Sequence, residues 1–299
     1  MMEIEMRYLS FEADDGLRLG AVVDDQVIDI GAAVPDAPAS MKDLIRAGSE
    51  FESGLRARLA EAAAPRLPLS QCRLAPPIAD ASKFICLGLN YADHAKEGGF
   101  ALPEYPALFL RAPSSLIGPG QPMLVPSCSE RLDYEAELVI VIGKRCRHVS
   151  EDAALDVVFG YTAFNDGSIR DYQRRTAQWT AGKNFDATGA LGPWIVTADA
   201  VPPGASGLGI RTRLNGRTMQ DSTTDRMIFP VARTIAILSE IMTLEPGDLI
   251  ATGTPEGVGH ARTPPVWMRP GDEVTVEIDR IGALTNPVAA EAPAAQAVA

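Results

Sequence analysis

The segment Asp133-Tyr134-Glu135-Ala136-Glu137-Leu138-Val139-Ile140-Val141-Ile142-Gly143 reads as one β-strand with an acidic entrance. Alternate side chains of a strand share a face, so Asp133, Glu135 and Glu137 are expected to point the same way. The run Leu138-Val139-Ile140-Val141-Ile142 then carries the strand into a core rather than along open solvent. Carboxylates crowded near a core repel one another and need a cation. Ligands that are all oxygen select hard ions, Mg²⁺ or Mn²⁺, with Ca²⁺ also admissible. A solvated edge strand guarded by acidic residues carries the same pattern. By itself the motif leaves both readings open.

Working outward, residues 84–88, 159–164, 249–252 and 273–278 also read as strands. The last two follow the same turn, Pro246-Gly247-Asp248 and Pro270-Gly271-Asp272. In it Pro presets the bend, Gly takes the unusual dihedral and Asp bonds nearby backbone. Upstream, residues 8–13, 17–23 and 26–30 alternate around Asp14-Asp15-Gly16 and Asp24-Asp25, which predicts a β-meander. Apolar spacing predicts a helix over 41–63, ended by Pro65, Pro68, Pro76 and Pro77. Further helices are predicted at 153–158, 169–177 and 232–242. The chain is therefore a strand-rich α+β protein. It divides into a small N-terminal α+β domain (1–75), a larger unit (81–288) and an Ala-rich tail (289–299) expected to be disordered.

With 299 residues and 46% hydrophobic composition, the core can be large without disulfides or a structural metal, so a bound metal would serve chemistry. Against 39 acidic residues stand 27 Lys and Arg, a net charge of −12. That charge repels nucleic acid and anionic membranes, and no basic run reverses it. No secretory signal or membrane-length apolar run is present in the sequence. Four scattered cysteines without a CxxC pair read as reduced thiols of a cytoplasmic protein. Three histidines are too few for an obvious zinc cluster.

Other polar groups punctuate the larger unit. Asp166 ends the apolar strand Gly160-Tyr161-Thr162-Ala163-Phe164-Asn165-Asp166, although an Asn-Asp-Gly turn explains it equally. His94 and Glu97 are three apart in Asp93-His94-Ala95-Lys96-Glu97, hence neighbours on a helical turn. A carboxylate beside an imidazole fixes its tautomer and supports its protonated form. A surface ion pair is the plainer alternative. Gly98-Gly99 would let this turn move as a lid. Arg170, Gln173 and Lys183 follow Asp166 and could clamp a substrate carboxylate. The loop Thr252-Gly253-Thr254-Pro255-Glu256-Gly257-Val258-Gly259 is not a phosphate loop. It offers backbone N–H groups and the Thr254 hydroxyl to a small anion. Cys128 and Cys146 lack a nearby partnered His and make weak nucleophiles.

Together, GLNYADHAKE, YPALFLRAPSSLIGPG, LDYEAELVIVIGK, GYTAFNDGSIRDYQ, QWTAGKNFD, LNGRTMQD, LSEIMTLEPGDLIATGTPEGVG and IGALTNPV resemble the fumarylacetoacetate hydrolase family, in family order over nearly all of 81–288. The resemblance implies a mixed β-sandwich or β-roll catalytic domain, paired as a homodimer. It maps metal ligands onto Glu135, Glu137 and Asp166, with Asp133 as neighbour. It maps a catalytic dyad onto His94 and Glu97, substrate-contacting positions onto Arg170, Gln173 and the catalytic Lys183, and an anion-binding turn onto Thr254. Two departures bear on the substrate. Arg111 stands where many relatives carry Lys followed by Pro, and is assigned to substrate binding. Arg226 stands where an acid is expected.

The leading expectation is hydrolysis of a C–C bond in a 1,3-diketone such as an acylpyruvate. The cation would stabilise the departing enolate, and His94 would activate water. The same site could decarboxylate or tautomerise oxaloacetate or isomerise a keto acid. A binding protein without turnover is the third reading, against which the His94–Glu97 pair argues.

Overall fold

In the computed structural model, which describes residues 6–61, 64–97 and 101–292, the acidic segment is not one strand. Leu132–Asp133 pairs with Ser168–Ile169 in a two-stranded ribbon, and Ala136–Ile142 enters a separate 12-stranded sheet. The break has a local cause. The Tyr134 N–H turns back to the Asp133 carboxylate (2.9 Å), and the Glu135 N–H is taken by the Asn165 side chain (3.0 Å). Donors that a ladder would use are spent on side chains. Asp133 therefore departs from the face expected to join it to Glu135 and Glu137.

Past the break, both faces of Ala136–Ile142 are buried, which explains its unbroken aliphatic run. Ala136, Leu138, Ile140 and Ile142 join a core with Ile210, Val276 and Leu284 of a five-stranded sheet and Ile235 and Leu238 of the helix Val231–Ile241. Val139 and Val141 join a second core with Phe84, Phe164 and Leu44 and Leu55 of the N-terminal helical segment. The strand is thus the middle layer between two apolar fillings.

The large sheet runs, in spatial order, Arg66–Pro68, Gln26–Asp29, Gly16–Val23, Arg7–Ala13, Gly189–Thr197, Val158–Asp166, Ala136–Ile142, Leu249–Ala251, Phe84–Gly88 and Ala107–Leu110. Most pairs are antiparallel, but Leu249–Ala251 runs parallel to Phe84–Gly88, so the sheet is mixed. The second sheet is ordered Arg217–Thr223, Gly209–Leu214, Glu273–Ile278, Gly282–Ala290 and Met123–Val125. The strand-rich α+β class holds. The N-terminal meander continues the large sheet through Arg7 and Tyr8, which pair with Val196 and Ile195.

Several elements depart from expectation. Gly48 breaks Met41–Glu61 with φ 84° and ψ 174°, a backbone conformation open to glycine, which lacks a Cβ. Residues 62–63, also expected in this helix, lie outside the described residues, as do Gly98 and Gly99. The helix expected over 169–177 shrinks to Arg170–Gln173, because Ile169 is held in the ribbon. The segment 153–158 is a tight 3₁₀ run, Glu151–Val157. The tail expected to be free from Ala289 instead extends a strand through Ala290, parallel to Met123–Val125, and Glu291 accepts the Ser127 N–H. Residues 293–299 lie outside the described residues. Among the described residues, no helix is long and apolar enough to cross a membrane.

Candidate active site

Three carboxylates converge where the two central strands leave the core. Glu135 and Glu137 come from the acidic strand and its entrance, and Asp166 ends Val158–Asp166, which pairs with that strand. All three are buried, and one oxygen of each lies within 4.8 Å of the others. Such a cluster cannot be fully ionised without compensation.

Three cations provide part of it. Lys183 Nζ is 2.7 Å from Glu135 and 2.5 Å from Asp166. Arg170 reaches Glu135 at 2.6 Å and Asp133 at 2.8 Å. Arg111 donates to Asp166, Ser115, the Gly167 carbonyl and Thr188. Burial disfavours charge on Glu135, but Lys183 and Arg170 outweigh it and hold the carboxyl well below its ordinary range. Burial likewise works against Lys183, yet Asp166 and Glu135 keep it charged.

Glu137 is the exception. Its carboxylate accepts the Gly253 N–H at 2.9 Å, and among the described residues no cationic side chain pairs with it. Burial, then Asp166 and Glu135, push its carboxyl well above 4.5. A group of hard oxygen donors with one member lacking a counter-charge fits a divalent cation such as Mg²⁺ or Mn²⁺. Glu135, Glu137 and Asp166 would hold it. A neutral ligand set would not give this imbalance.

The carboxylates open onto a cavity of about 90 Å³ that brings together His94, Arg170, Gln173, Lys183 and Thr254. Leu87, Leu89, Phe109 and Trp179 supply its apolar wall. Gly88 is required there, since a Cβ would lie 2.0 Å from the Trp179 ring. His94 Nδ1 is 3.5 Å from Glu97, and Glu97 also accepts the Gly257 N–H at 3.1 Å. The dyad helix Ala92–Glu97 is thereby tied to the loop carrying Thr254, whose hydroxyl accepts from Gln220 at 2.8 Å. Gln173 accepts from Arg170 at 2.9 Å.

Arg111 is placed differently from its assignment to substrate. Its side chain is fully buried behind Asp166, away from the cavity wall. Arg226 makes an ion pair with Asp93 on the dyad helix at 2.8 Å, so its charge is absorbed beside the pocket. Two wall residues escaped the sequence reading. Arg174 stands on the wall with no ion pair among the described residues, and His260 contacts Asp133. His260 directly follows the glycine-rich loop, where a histidine after Gly257-Val258-Gly259 was a signal within reach.

A mixed-sheet fold carrying a buried hard-ion triad beside a His–Glu pair defines a metal-dependent enzyme class. The model of the fumarylacetoacetate (FAA) hydrolase C-terminal domain matches residues 83–289, and the chain belongs to that family. Oxaloacetate tautomerase fahd2, mitochondrial, of Xenopus laevis is 40% identical over 291 residues, spanning 95% of this chain and 91% of that protein. A fumarylacetoacetate hydrolase from psychrophilic Exiguobacterium antarcticum superposes with TM-score 0.83 at 37% identity, covering 96% of this chain and 100% of the other. Maleylpyruvate hydrolase from Sphingobium sp. SYK-6, solved with manganese(II) and pyruvate, gives TM-score 0.80 at 35% identity, covering 95% and 99%.

Proposed function

We propose that this protein interconverts the keto and enol forms of a short 2-oxo dicarboxylic acid, with oxaloacetate as substrate and Mg²⁺ or Mn²⁺ as cofactor. The observation that carries the reading is the cavity in which the carboxylate triad faces cations and an imidazole. Arg174, without an ion pair among the described residues, offers a cation to a second carboxylate. The Xenopus relative is named for this reaction.

When bound, the cation supplies Lewis acidity that makes the carbon beside a 2-oxo group easier to deprotonate. Arg170 and Lys183 offset negative charge on the acid. His94, beside Glu97, moves the proton at that carbon. Leu89, Phe109 and Trp179 limit water around the reacting atoms.

Hydrolysis of a 2,4-diketo acid is the second reading. The same His94–Glu97 pair favours it, since a base can activate water, and so does the likeness to maleylpyruvate hydrolase. A homodimer is part of the proposal. Ala107–Leu110 is a sheet edge, and Leu102, Tyr105 and Leu110 nearby are 58%, 54% and 55% exposed.

The test is an assay with Mg²⁺ or Mn²⁺ that follows enol absorbance of oxaloacetate, pyruvate release, and acid products from acylpyruvates. Enol decay accelerated by enzyme, without matching pyruvate, supports tautomerisation. Product acids from an acylpyruvate with no effect on oxaloacetate would replace it by hydrolysis.

A further inference from the structure

The cavity holds a second imidazole. His260 lines it beside Arg170 and Lys183, with its side chain 12% exposed. Its Nδ1 lies 3.1 Å from Asp133, closer than the 3.5 Å between His94 and Glu97. Asp133 is fully buried and also accepts the N–H groups of Tyr134, Gly259 and His260 and the Arg170 Nε, at 2.9, 2.7, 3.0 and 2.8 Å. The loop is shaped around this carboxylate. A Cβ on Gly259 would fall 2.5 Å from its Oδ1 and 2.0 Å from the Val266 carbonyl oxygen.

Four N–H donors, one of them from the Arg170 guanidinium, already converge on the Asp133 carboxylate, so it acts as an acceptor toward the ring as well. An ionised carboxylate only accepts, so the proton between the two belongs to His260 Nδ1. Nε2, on the opposite edge of the ring, makes no hydrogen bond among the described residues. A buried acid that fixes one imidazole nitrogen and leaves the other free is the arrangement of an acid–base catalyst. The charged and titratable groups around the ring are Asp133, which it contacts, and Glu135, Glu137, Arg170, Arg174, Lys183 and His94, which line the same cavity.

We propose that His260, oriented by Asp133, is a second proton-transferring residue of this site. The inference rests on the keto–enol reading above. Ketonisation moves two protons. Neutral His260 Nε2 takes the enol hydroxyl proton, and the O–H electron pair becomes the second C=O bond. The C=C electron pair takes a proton from protonated His94. The two rings end with their protonation exchanged, and solvent water resets them by taking the proton from His260 and returning one to His94, so the net change is enol to ketone alone.

His260→Gln should lower kcat for enol decay roughly a hundredfold or more, leaving KM and Mg²⁺ affinity within about twofold. His260→Ala should regain activity with added imidazole, which a merely structural ring would not show. The chain has three histidines, so the variants assign the ring signals by NMR. In wild type the His260 signals should show protonation at Nδ1 and shift when oxalate is added with Mg²⁺. Wild-type kcat in His260→Gln overturns the proposal, as do ring signals that ignore oxalate. A wild-type protein inert toward every 2-oxo acid sinks the keto–enol reading alone, and the ring signals still report whether His260 meets the ligand.

Discussion

Replacing Glu137 by glutamine should make the metal-free protein more stable as pH rises, while removing its response to metal. In the folded chain the Glu137 carboxyl is raised well above 4.5, first by burial and then by Asp166 and Glu135. Above about pH 5 the unfolded chain has released this proton and the folded chain still holds it. The folded state then binds more protons, so its stability falls with pH. The slope is about 1.4 kcal/mol per pH unit for as long as the folded carboxyl stays protonated. Glutamine keeps an acceptor for the Gly253 N–H, 2.9 Å away in wild type, and carries nothing to ionise. Measured in chelator, the variant should therefore gain on wild type as pH rises above about 5, at about that slope until the folded carboxyl ionises. Mg²⁺ reverses the order. At a hundred times its Kd it should add about 2.7 kcal/mol to wild type and far less to the variant. Urea melts followed by tryptophan fluorescence read both effects. A stability difference that is flat across pH, or equal stabilisation of both proteins by Mg²⁺, refutes the reasoning.

Asp166→Ala removes the partner of Arg111, whose side chain is fully buried, and half the pairing of Lys183, so it should cost about 3–5 kcal/mol in thermal melts. Asp166→Asn should cost less, because it keeps an acceptor. Gly88→Ala places a methyl 2.0 Å from the Trp179 ring and should drive that ring into the cavity. Turnover per KM should fall roughly ten- to a hundredfold with Mg²⁺ affinity by calorimetry unchanged. His94→Ala should slow any turnover on the order of a hundred- to ten-thousandfold. Glu97→Gln should fall between, since it still accepts the Gly257 N–H that joins the dyad helix to the loop; steady-state kinetics on the confirmed substrate ranks the two.

The triad was legible because its chemistry is local. Glu135 and Glu137 share a face, and Asp166 ends an apolar strand. The apolar runs at 84–88 and 138–142 and the alternating strand at 273–278 were equally plain, since pattern and burial agree there. What escaped depended on contacts distant in sequence. Gly189–Thr197 was missed because Gly192 and Pro193 interrupt it, although neighbours on both sides hold it in the sheet. The hairpin of Gly209–Leu214 and Arg217–Thr223 carries an Asn215-Gly216 turn with positive φ at both residues (52° and 75°), a signal that was present and unused. Asp133 was placed on the triad's face because alternation assumes an unbroken ladder, and no local pattern announces that Asn165 captures the Glu135 N–H. Arg111 was assigned to substrate binding. Its burial behind Asp166 follows from two segments 55 residues apart meeting in space. His260 was passed over because its partner lies 127 residues away.

The central claim is that Glu135, Glu137 and Asp166 hold one divalent cation against which a 2-oxo acid binds. Anomalous diffraction from crystals soaked in Mn²⁺ and oxalate tests it most directly. The account predicts one manganese peak per chain among those three carboxylates, with oxalate beside it in the cavity lined by His94, Lys183 and Arg170. A peak elsewhere, or none at the triad in crystals that take up manganese, would contradict it.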